Sequence, residues 1–170
     1  NGGVGRVGNN GIFRAGKSWL YEGGIRENLI VNWPEKIPSE TIIEQPVFGT
    51  DFYPTFLEIA NAEKYSDKTV DGLSFMPYFS GEKESKRDAF YWHYISETGK
   101  WVNRMCSAIR YGDYKILYFY KDKRIELYDL RNDPSEKNNL VNTEPEKMKK
   151  MKTMLDQWLI DVHAEEPDLS

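Results

Sequence analysis

The sequence predicts an α/β protein whose C-terminal half is an antiparallel sheet packed with one helix. Aromatic and β-branched runs separated by short polar turns follow residue 88, which is typical of paired strands. Apolar side chains then recur at helical spacing after Pro145. The first half has a different pattern, with a glycine-rich loop, a short apolar run and one amphipathic helix.

Composition bounds the class of protein. At 170 residues and 39% hydrophobic content the chain has enough apolar surface for a core. The chain has 23 Lys and Arg residues and 27 Asp and Glu residues, and it contains no long block of like charge. No nucleic-acid partner is therefore expected. Cys106 is the single cysteine, which excludes an internal disulfide. No run approaches the roughly 20 apolar residues of a membrane span.

The N-terminal half reads as a loop followed by two short elements. Residues 1–18 hold six of the 13 glycines and begin without Met or a signal-peptide pattern, which favours an internal cut of a longer protein. Residues 29–33 form a β-branched apolar run closed by Pro34, which predicts a short buried strand. Thr50 or Asp51 is expected to cap a helix that ends near Asn61. Its inward side chains are predicted to be Phe52, Phe56, Leu57, Ile59 and Ala60.

The C-terminal half reads as a meander and a helix. Strands are predicted at residues 90–94, 106–111, 114–120 and 125–130, and the last three are expected to pair as an antiparallel meander. Thr143 and Glu146 have the spacing of a capping box around Pro145. The helix that follows is expected to lie on one face of the sheet. Its apolar side chains are Met148, Met151, Leu155, Trp158, Leu159 and Val162.

Ten short motifs follow one another along the chain: Asn1-Gly2-Gly3, Gly16-Lys17, Tyr21-Glu22-Gly23-Gly24-Ile25-Arg26, Trp33-Pro34, Asp51 to Leu57, Ile109 to Lys115, Glu126 to Leu130, Asp133-Pro134, Glu136 and Asn139-Leu140. In this order they resemble the second half of type I sulfatases, members of the alkaline-phosphatase-like superfamily. Each piece alone is weak, and the order carries the likeness.

The resemblance implies a sulfate-ester hydrolase with a formylglycine nucleophile and a calcium ion. The nucleophile's Cys/Ser-x-Pro-x-Arg motif is absent from this sequence, since Cys106 is followed by Ser-Ala-Ile-Arg. Residues 1–87 would be the C-terminal remnant of the catalytic α/β domain, and residues 88–170 a small subdomain of antiparallel sheet and helix. The chain alone is therefore expected to be inactive, and the substrate of the intact enzyme to be a sulfated carbohydrate or an aryl sulfate.

The resemblance also assigns residue roles. Asn1 matches a calcium ligand, and an amide oxygen suits that hard cation. Lys17 matches an active-site clamp, where an ammonium would stabilise charge developing on sulfate oxygens. Glu22 and Arg26, four residues apart, are expected to pair and to support the loop that carries Lys17. A periplasmic or secreted location is implied as well.

Arg14 and His93 are candidate substrate contacts, each with a structural alternative. Arg14 could be an ordinary surface arginine, and His93, in Trp92-His93-Tyr94, a hydrogen-bonded rim residue of the sheet. Trp101 and Tyr94 are the aromatic residues considered for a carbohydrate, and the other aromatics are interpreted as core. His163 near the end of the last helix is interpreted as complementing the helix dipole.

Two other classes stay open from the sequence. A phosphodiester or phosphonate-ester hydrolase of the same superfamily would keep the fold and change the nucleophile. A non-catalytic binding or assembly module would use the small sheet to pack on a partner. A nucleophile motif upstream of Asn1 would discriminate among the three.

Overall fold

A computed structural model describes residues 2–4, 8–62, 70–82, 87–96 and 101–169. Its helices and strands follow in chain order: α1 Glu22–Ile25, α2 Phe52–Ile59, α3 Met76–Phe79, β1 Ala89–Tyr94, β2 Cys106–Tyr111, β3 Tyr114–Phe119, β4 Arg124–Asp129 and α4 Pro145–Asp161. Short 3-10 turns occupy Gly49–Asp51 and Val102–Arg104. No helix in these ranges is long and apolar enough to cross a bilayer.

The chain divides into two compact units. Unit 1 joins Asn1–Asn28 to Ala89–Ser170, and unit 2 is Leu29–Asp88. The motifs predict a boundary between two domains after residue 87, and this domain boundary stays a prediction. In compact packing, residues 1–28 belong with the sheet because Leu20 and Tyr21 are buried in its core.

Unit 1 is built on a four-stranded antiparallel meander in the order β1-β2-β3-β4. The predicted fold class is confirmed, and each strand starts and ends within one residue of its predicted position. The meander also includes β1, one strand more than the three expected to pair. Tyr111 pairs with Tyr114 across a two-residue turn, where Gly112 has a φ of 60°. Glycine meets this left-handed conformation at little steric cost.

The sheet is buried on both faces because successive apolar side chains along each strand point to opposite faces. On β3, Ile116 faces α4, whereas Leu117 faces the segment around Leu20 and Tyr21. The face under α4 is filled by Ala89, Ile109, Ile116, Leu127, Met151 and Leu155. The other face is filled by Leu20, Tyr21, Cys106, Ala108, Leu117, Phe119, Tyr128 and Leu130. This period of two, with covers on both sides, fixes the register of the meander.

Helix α4 covers the sheet as predicted, but its N-terminus differs from the predicted capping box. Trp158 stacks on Tyr91, with ring centroids 4.9 Å apart and planes 12° from parallel. The residue before the helix is Glu144, and no side chain caps it. Thr143 lies one position too early and donates its hydroxyl to the Leu140 carbonyl at 3.2 Å. The capping box is therefore not formed.

Unit 2 contains the predicted helix α2 but not the predicted strand. Residues 29–33 form no strand, and the side chain of Ile30 is 89% exposed. A strand needs a neighbour for its backbone hydrogen bonds, and the described part of unit 2 contains none. On α2, Phe56 and Ile59 are exposed, contrary to the predicted inward face. Thr55 is the residue that the helix buries.

Asp51 occupies the N-cap position of α2, as one of the two predicted residues, but its carboxylate makes no capping bond and instead organises unit 2. The carboxylate accepts hydrogen bonds from the Phe48 and Leu73 amides at 2.6 and 2.9 Å. Arg87 adds a bidentate contact at 2.6 and 2.8 Å. Burial raises the pKa of Asp51, but Arg87 and the two amides outweigh it and hold the pKa below its usual value.

Candidate functional site

Lys17 lies on an ordered loop in unit 1. The Lys17 amide donates to the Gly3 carbonyl at 3.4 Å, and the Asn10 side chain bonds Gly3 and Ala15. The Lys17 side chain is exposed and makes no hydrogen bond or ion pair in the described part of the chain. The loop thus presents an unpaired ammonium to solvent from a backbone that is hydrogen-bonded.

Two non-glycine residues with left-handed backbone flank Lys17. Ala15 has a φ of 61° and Ser18 a φ of 70°. Such conformations cost about 1–3 kcal/mol each and concentrate at functional sites. The backbone on both sides of Lys17 is therefore strained, which makes this loop a candidate functional site.

Gly23 and Gly24 of α1 allow this loop to cross directly over the helix. A Cβ at Gly23 would overlap the carbonyl oxygens of Arg14 and Ala15, and one at Gly24 would overlap those of Gly16 and Trp19. The Gly23 amide donates to the Arg14 carbonyl at 2.9 Å. Glycine is thus required at both positions because the loop of Lys17 packs directly on the backbone of α1.

A buried charge cluster fixes α1 to the sheet in turn. The Lys115 ammonium on β3 lies 2.8 Å from Glu22 Oε1 and 2.8 Å from Glu136 Oε1. Glu136 Oε2 accepts the Glu22 amide at 2.7 Å. All three side chains are almost completely buried. Burial raises the pKa of Glu136, and Lys115 opposes that rise.

The predicted pair of Glu22 and Arg26 is present at 3.5 Å, but it is the weaker contact of Glu22. Arg26 is exposed, whereas Lys115 is buried, so the attraction to Lys115 is less screened by solvent. Sequence reasoning missed Lys115 as a site-supporting residue. The available signal was a lysine inside an otherwise apolar strand, beside Ile116 and Leu117.

Arg14 points into unit 1 rather than standing alone on the surface. Its guanidinium donates to Tyr128 Oη at 2.8 Å and to the Glu136 carbonyl at 2.9 Å. It also lies 3.9 Å from the centre of the Tyr21 ring. Arg14 therefore has a structural role within unit 1 and is not an ordinary surface arginine, and its predicted substrate contact stays a prediction.

Beneath Arg14, two tyrosines share one buried carboxylate. Tyr21 and Tyr128 both donate to Glu126 Oε2, at 2.7 and 2.8 Å. Burial, followed by the bond to Glu126, raises the pKa of each phenol well above its usual value. Both phenols therefore stay neutral donors near neutral pH.

His93 uses both ring nitrogens within unit 1. Nδ1 lies 2.7 Å from Ser107 Oγ and 3.0 Å from Tyr120 Oη, and Nε2 lies 2.9 Å from the Glu165 carbonyl. The Nε2 contact requires a proton on Nε2, so Nδ1 accepts in the neutral ring. This arrangement matches the rim alternative for His93, and its substrate role stays untested.

Aromatic side chains lie beside the loop of Lys17. Trp19 and Tyr94 pack against the core of the sheet, whereas Trp101 is 43% exposed. The guanidinium of Arg104 lies 5.0 Å from the Trp19 ring centre and 4.0 Å from that of Trp101. Arg104 was not considered from the sequence, because nothing in the pattern shows that residues 19, 101 and 104 meet.

The described residues do not themselves form a metal site. They contain no group of three or more His, Cys, Asp or Glu side chains placed to hold an ion. Asn1, the predicted calcium ligand, lies outside the described residues. Cys106 is buried, and burial raises the pKa of its thiol to about 12, so it is neither a thiolate ligand nor a nucleophile near neutral pH. His163 lies just beyond the C-terminus of α4, as predicted.

Comparison with known proteins defines the class. Residues 8–165 match the family model "N-sulphoglucosamine sulphohydrolase, C-terminal". The chain belongs to this family and is a C-terminal portion of a type I sulfatase.

Individual relatives agree with this assignment. A sulfatase of Formosa agariphila is 35% identical over 96% of this chain and 32% of its own length. The N-acetylglucosamine-6-O-sulfatase of Bacteroides thetaiotaomicron is 30% identical over 89% of this chain and 28% of its own. The chain thus spans about a third of the length of these relatives.

Among solved structures, Ps i-CgsB in complex with k-i-k-neocarrahexaose superposes with a TM-score of 0.80 and 28% identity. That match covers 93% of this chain and 34% of the other. BT4656 in complex with its substrate D-glucosamine-2-N,6-O-disulfate superposes with a TM-score of 0.56 and 31% identity, over 69% of this chain and 24% of the other.

Proposed function

We propose that this chain is the C-terminal part of an enzyme that hydrolyses sulfate esters of a sulfated sugar or polysaccharide. The family and the sulfated-sugar ligands of two structural neighbours support the reaction and the substrate class. The observation that carries the proposal is the presentation of Lys17. Its unpaired ammonium lies on a strained loop fixed through Gly23 and Gly24 to a helix that is itself held by a buried lysine.

In this proposal Lys17 binds the sulfate group and stabilises charge that develops on its oxygens in the transition state. An ammonium is a compact charge with three donors, and it acts most strongly where its position is fixed before reaction. The hydrogen-bonded loop supplies that positioning. Glu22 and Lys115 keep α1 against the sheet, and the loop rests on α1.

The nucleophile and most metal ligands belong, in this proposal, to the part of the enzyme upstream of Asn1. The family resemblance indicates a formylglycine made from Cys or Ser and a calcium ion for which Asn1 would supply one ligand. Calcium, when bound, would act as a Lewis acid on a sulfate oxygen. The 170-residue chain alone would then lack activity. A periplasmic or secreted location of the parent enzyme is part of the same proposal, and its support is the resemblance alone.

Replacement of Lys17 in the complete enzyme tests the proposal. Lys17→Ala is expected to lower kcat by on the order of 10²–10³-fold and to change KM much less, because the clamp acts chiefly in the transition state. Steady-state hydrolysis of an aryl sulfate gives both constants. Lys149→Ala is the matched control, since Lys149 is also exposed and lies on α4.

A loss of less than about fivefold for Lys17→Ala, or an equal loss for Lys149→Ala, would contradict the proposed role. Hydrolysis of an aryl sulfate by the purified 170-residue chain, abolished by Lys17→Ala, would contradict the requirement for upstream residues. Hydrolysis of a phosphonate ester in preference to a sulfate ester would move the enzyme to another class of the superfamily.

A further inference from the structure

The arginines of this chain differ in how their guanidinium groups are paired. Arg104 makes no hydrogen bond or ion pair through its guanidinium within the described ranges. Each other described arginine has at least one such partner. Those arginines are Arg14, Arg26, Arg87, Arg110, Arg124 and Arg131. Arg104 is thus a fixed cation with unused donors.

Two indoles hold Arg104 in place. The guanidinium carbon lies 4.0 Å from the centre of Trp101 and 5.0 Å from that of Trp19, within the range of cation–π attraction. We call Arg104, Trp19 and Trp101 the Arg104 platform. These ring contacts restrain the guanidinium without using its five N–H groups, which point outward in the plane of the group. Such an edge matches a sulfate group, as it matches carboxylate and phosphate.

The platform adjoins the loop of Lys17. Trp19 follows Lys17 by two residues, a backbone span of at most about 7 Å, and the Trp19 amide bonds the Gly16 carbonyl at 3.1 Å. Trp19 also packs against the buried core of unit 1, which fixes this side of the platform. Trp101, by contrast, is 43% exposed and offers an indole to a ligand.

We propose that the Arg104 platform is a binding subsite for a second anionic group of a sulfated oligosaccharide, a group other than the ester that is cleaved. Arg104 donates to a sulfate on a neighbouring sugar, and the exposed part of the Trp101 indole packs on the apolar face of that sugar ring. This inference rests on the proposed function, because it assumes that Lys17 marks the reacting ester. The platform would give the enzyme a preference for substrates with more than one sulfate.

The test uses the full-length enzyme and four probes: nitrophenyl sulfate, inorganic sulfate, D-glucosamine-2-N,6-O-disulfate and k-i-k-neocarrahexaose. KM is measured for probes that are hydrolysed and Kd, by calorimetry, for the others. Arg104→Ala is expected to weaken binding of at least one sulfated sugar by roughly 10- to 100-fold, as loss of a charged hydrogen bond does. The KM and kcat for nitrophenyl sulfate are expected to change less than about twofold.

Two further variants separate binding from folding. Arg104→Lys keeps the charge and loses the planar donor edge, so it is expected to recover part of the affinity. Trp101→Ala is expected to weaken sugar binding and to leave inorganic sulfate binding unchanged. Arg131→Ala is the matched control, because its side chain is 77% exposed and its distance to Asp113 is 3.8 Å.

The inference is overturned if Arg104→Ala binds every sulfated sugar as the wild type does. It is also overturned if the wild type binds none of them, or if Arg104→Ala lowers activity on all substrates in parallel with its thermal stability. Failure of the proposed function has a different signature. In that case the wild type does not hydrolyse nitrophenyl sulfate, or Lys17→Ala leaves hydrolysis unchanged, whereas the binding measurements still report on Arg104.

Discussion

The two compact units differ in how completely they bury their apolar residues. In unit 1, Ile116, Leu127 and Leu155 are fully buried between the sheet and α4. In unit 2, Ile30 and Ile42 are 89% and 87% exposed, and Phe56 on α2 is exposed as well. Unit 1 has a two-sided core of its own, whereas unit 2 relies on a small aromatic group and the contact between Asp51 and Arg87.

The motif series thus runs through segments that bury their apolar residues to different extents, and we expect their stabilities to differ. The meander of unit 1 pairs its four strands with one another and buries both faces, so its opening requires loss of a whole core. The loop around Lys17 shares that support through Glu22 and Lys115. Unit 2 depends on a few polar contacts, so single polar substitutions there are expected to matter more than apolar truncations.

The largest expected effect is at the buried charge cluster of unit 1. Lys115→Met removes the buried cation that Glu22 and Glu136 share and leaves Glu22 only its longer contact with Arg26, which is expected to cost about 3–5 kcal/mol in the free energy of unfolding. Urea denaturation at pH 7 measures it. The exposed Lys121, which donates to Asn103, gives the control Lys121→Met, with an expected change below about 0.5 kcal/mol.

The pH dependence of the same variant sharpens this prediction. Burial already raises the pKa of Glu136, and removal of Lys115 takes away the contact that opposes it. When the pKa of a carboxyl is higher in the folded than in the unfolded state, the protein loses stability as the pH rises from the unfolded-state pKa to the folded-state pKa. Lys115→Met is therefore expected to recover part of its deficit between pH 7 and pH 5. An equal deficit at both values would contradict the electrostatic explanation.

Matched apolar truncations test the comparison directly. Leu155→Ala removes a fully buried side chain of α4 and is expected to cost about 2–5 kcal/mol. Ile30→Ala, in unit 2, is expected to cost less than about 0.5 kcal/mol because Ile30 is exposed. Both are measured by urea denaturation of the 170-residue chain. Similar losses for the two variants would show that the units are equally packed.

Arg87→Ala tests the polar contact that organises unit 2. Loss of its bidentate bond to Asp51 is expected to cost about 2 kcal/mol, measured from hydrogen exchange of the amides in residues 51–79. The pKa of Asp51 lies below its usual value, so the stabilisation is present near pH 7 and is lost as pH falls through that lowered pKa. The gap between wild type and Arg87→Ala should narrow below about pH 4.

The smallest expected effect is at the start of α4. Thr143→Ala should cost no more than about 0.5 kcal/mol, because Thr143 does not cap the helix. Asn139→Ala should cost about 1 kcal/mol, since the Asn139 amide oxygen accepts the Leu127 and Val141 amides at 3.0 and 3.1 Å. A larger loss of unfolding free energy for Thr143→Ala than for Asn139→Ala would instead support the predicted capping box.

Local pattern alone predicted the four strands of unit 1 and the helices α2 and α4, and the ordered motif series indicated the family by resemblance. Strand positions follow from alternation of apolar residues and from turns such as Gly112-Asp113, and these signals depend only on neighbours in sequence. The motif series likewise predicted the Glu22–Arg26 pair, which is present at 3.5 Å, and a catalytic role for Lys17, which stays a prediction. Such patterns do not predict burial correctly at Ile30 and Phe56. The burial of an apolar side chain depends on which other part of the protein packs against it, and an apolar run in the sequence does not specify that part.

The tertiary structure alone decided which distant residues meet. Lys115 pairs with Glu22 across 93 positions of sequence, and Arg14 reaches Tyr128 across 114. The cation–π contacts of Arg104 with Trp19 and Trp101 are equally invisible in sequence. Ion pairs and ring contacts act over a few ångströms between side chains, so their partners are set by the folding of the sheet and the loop and not by spacing along the chain.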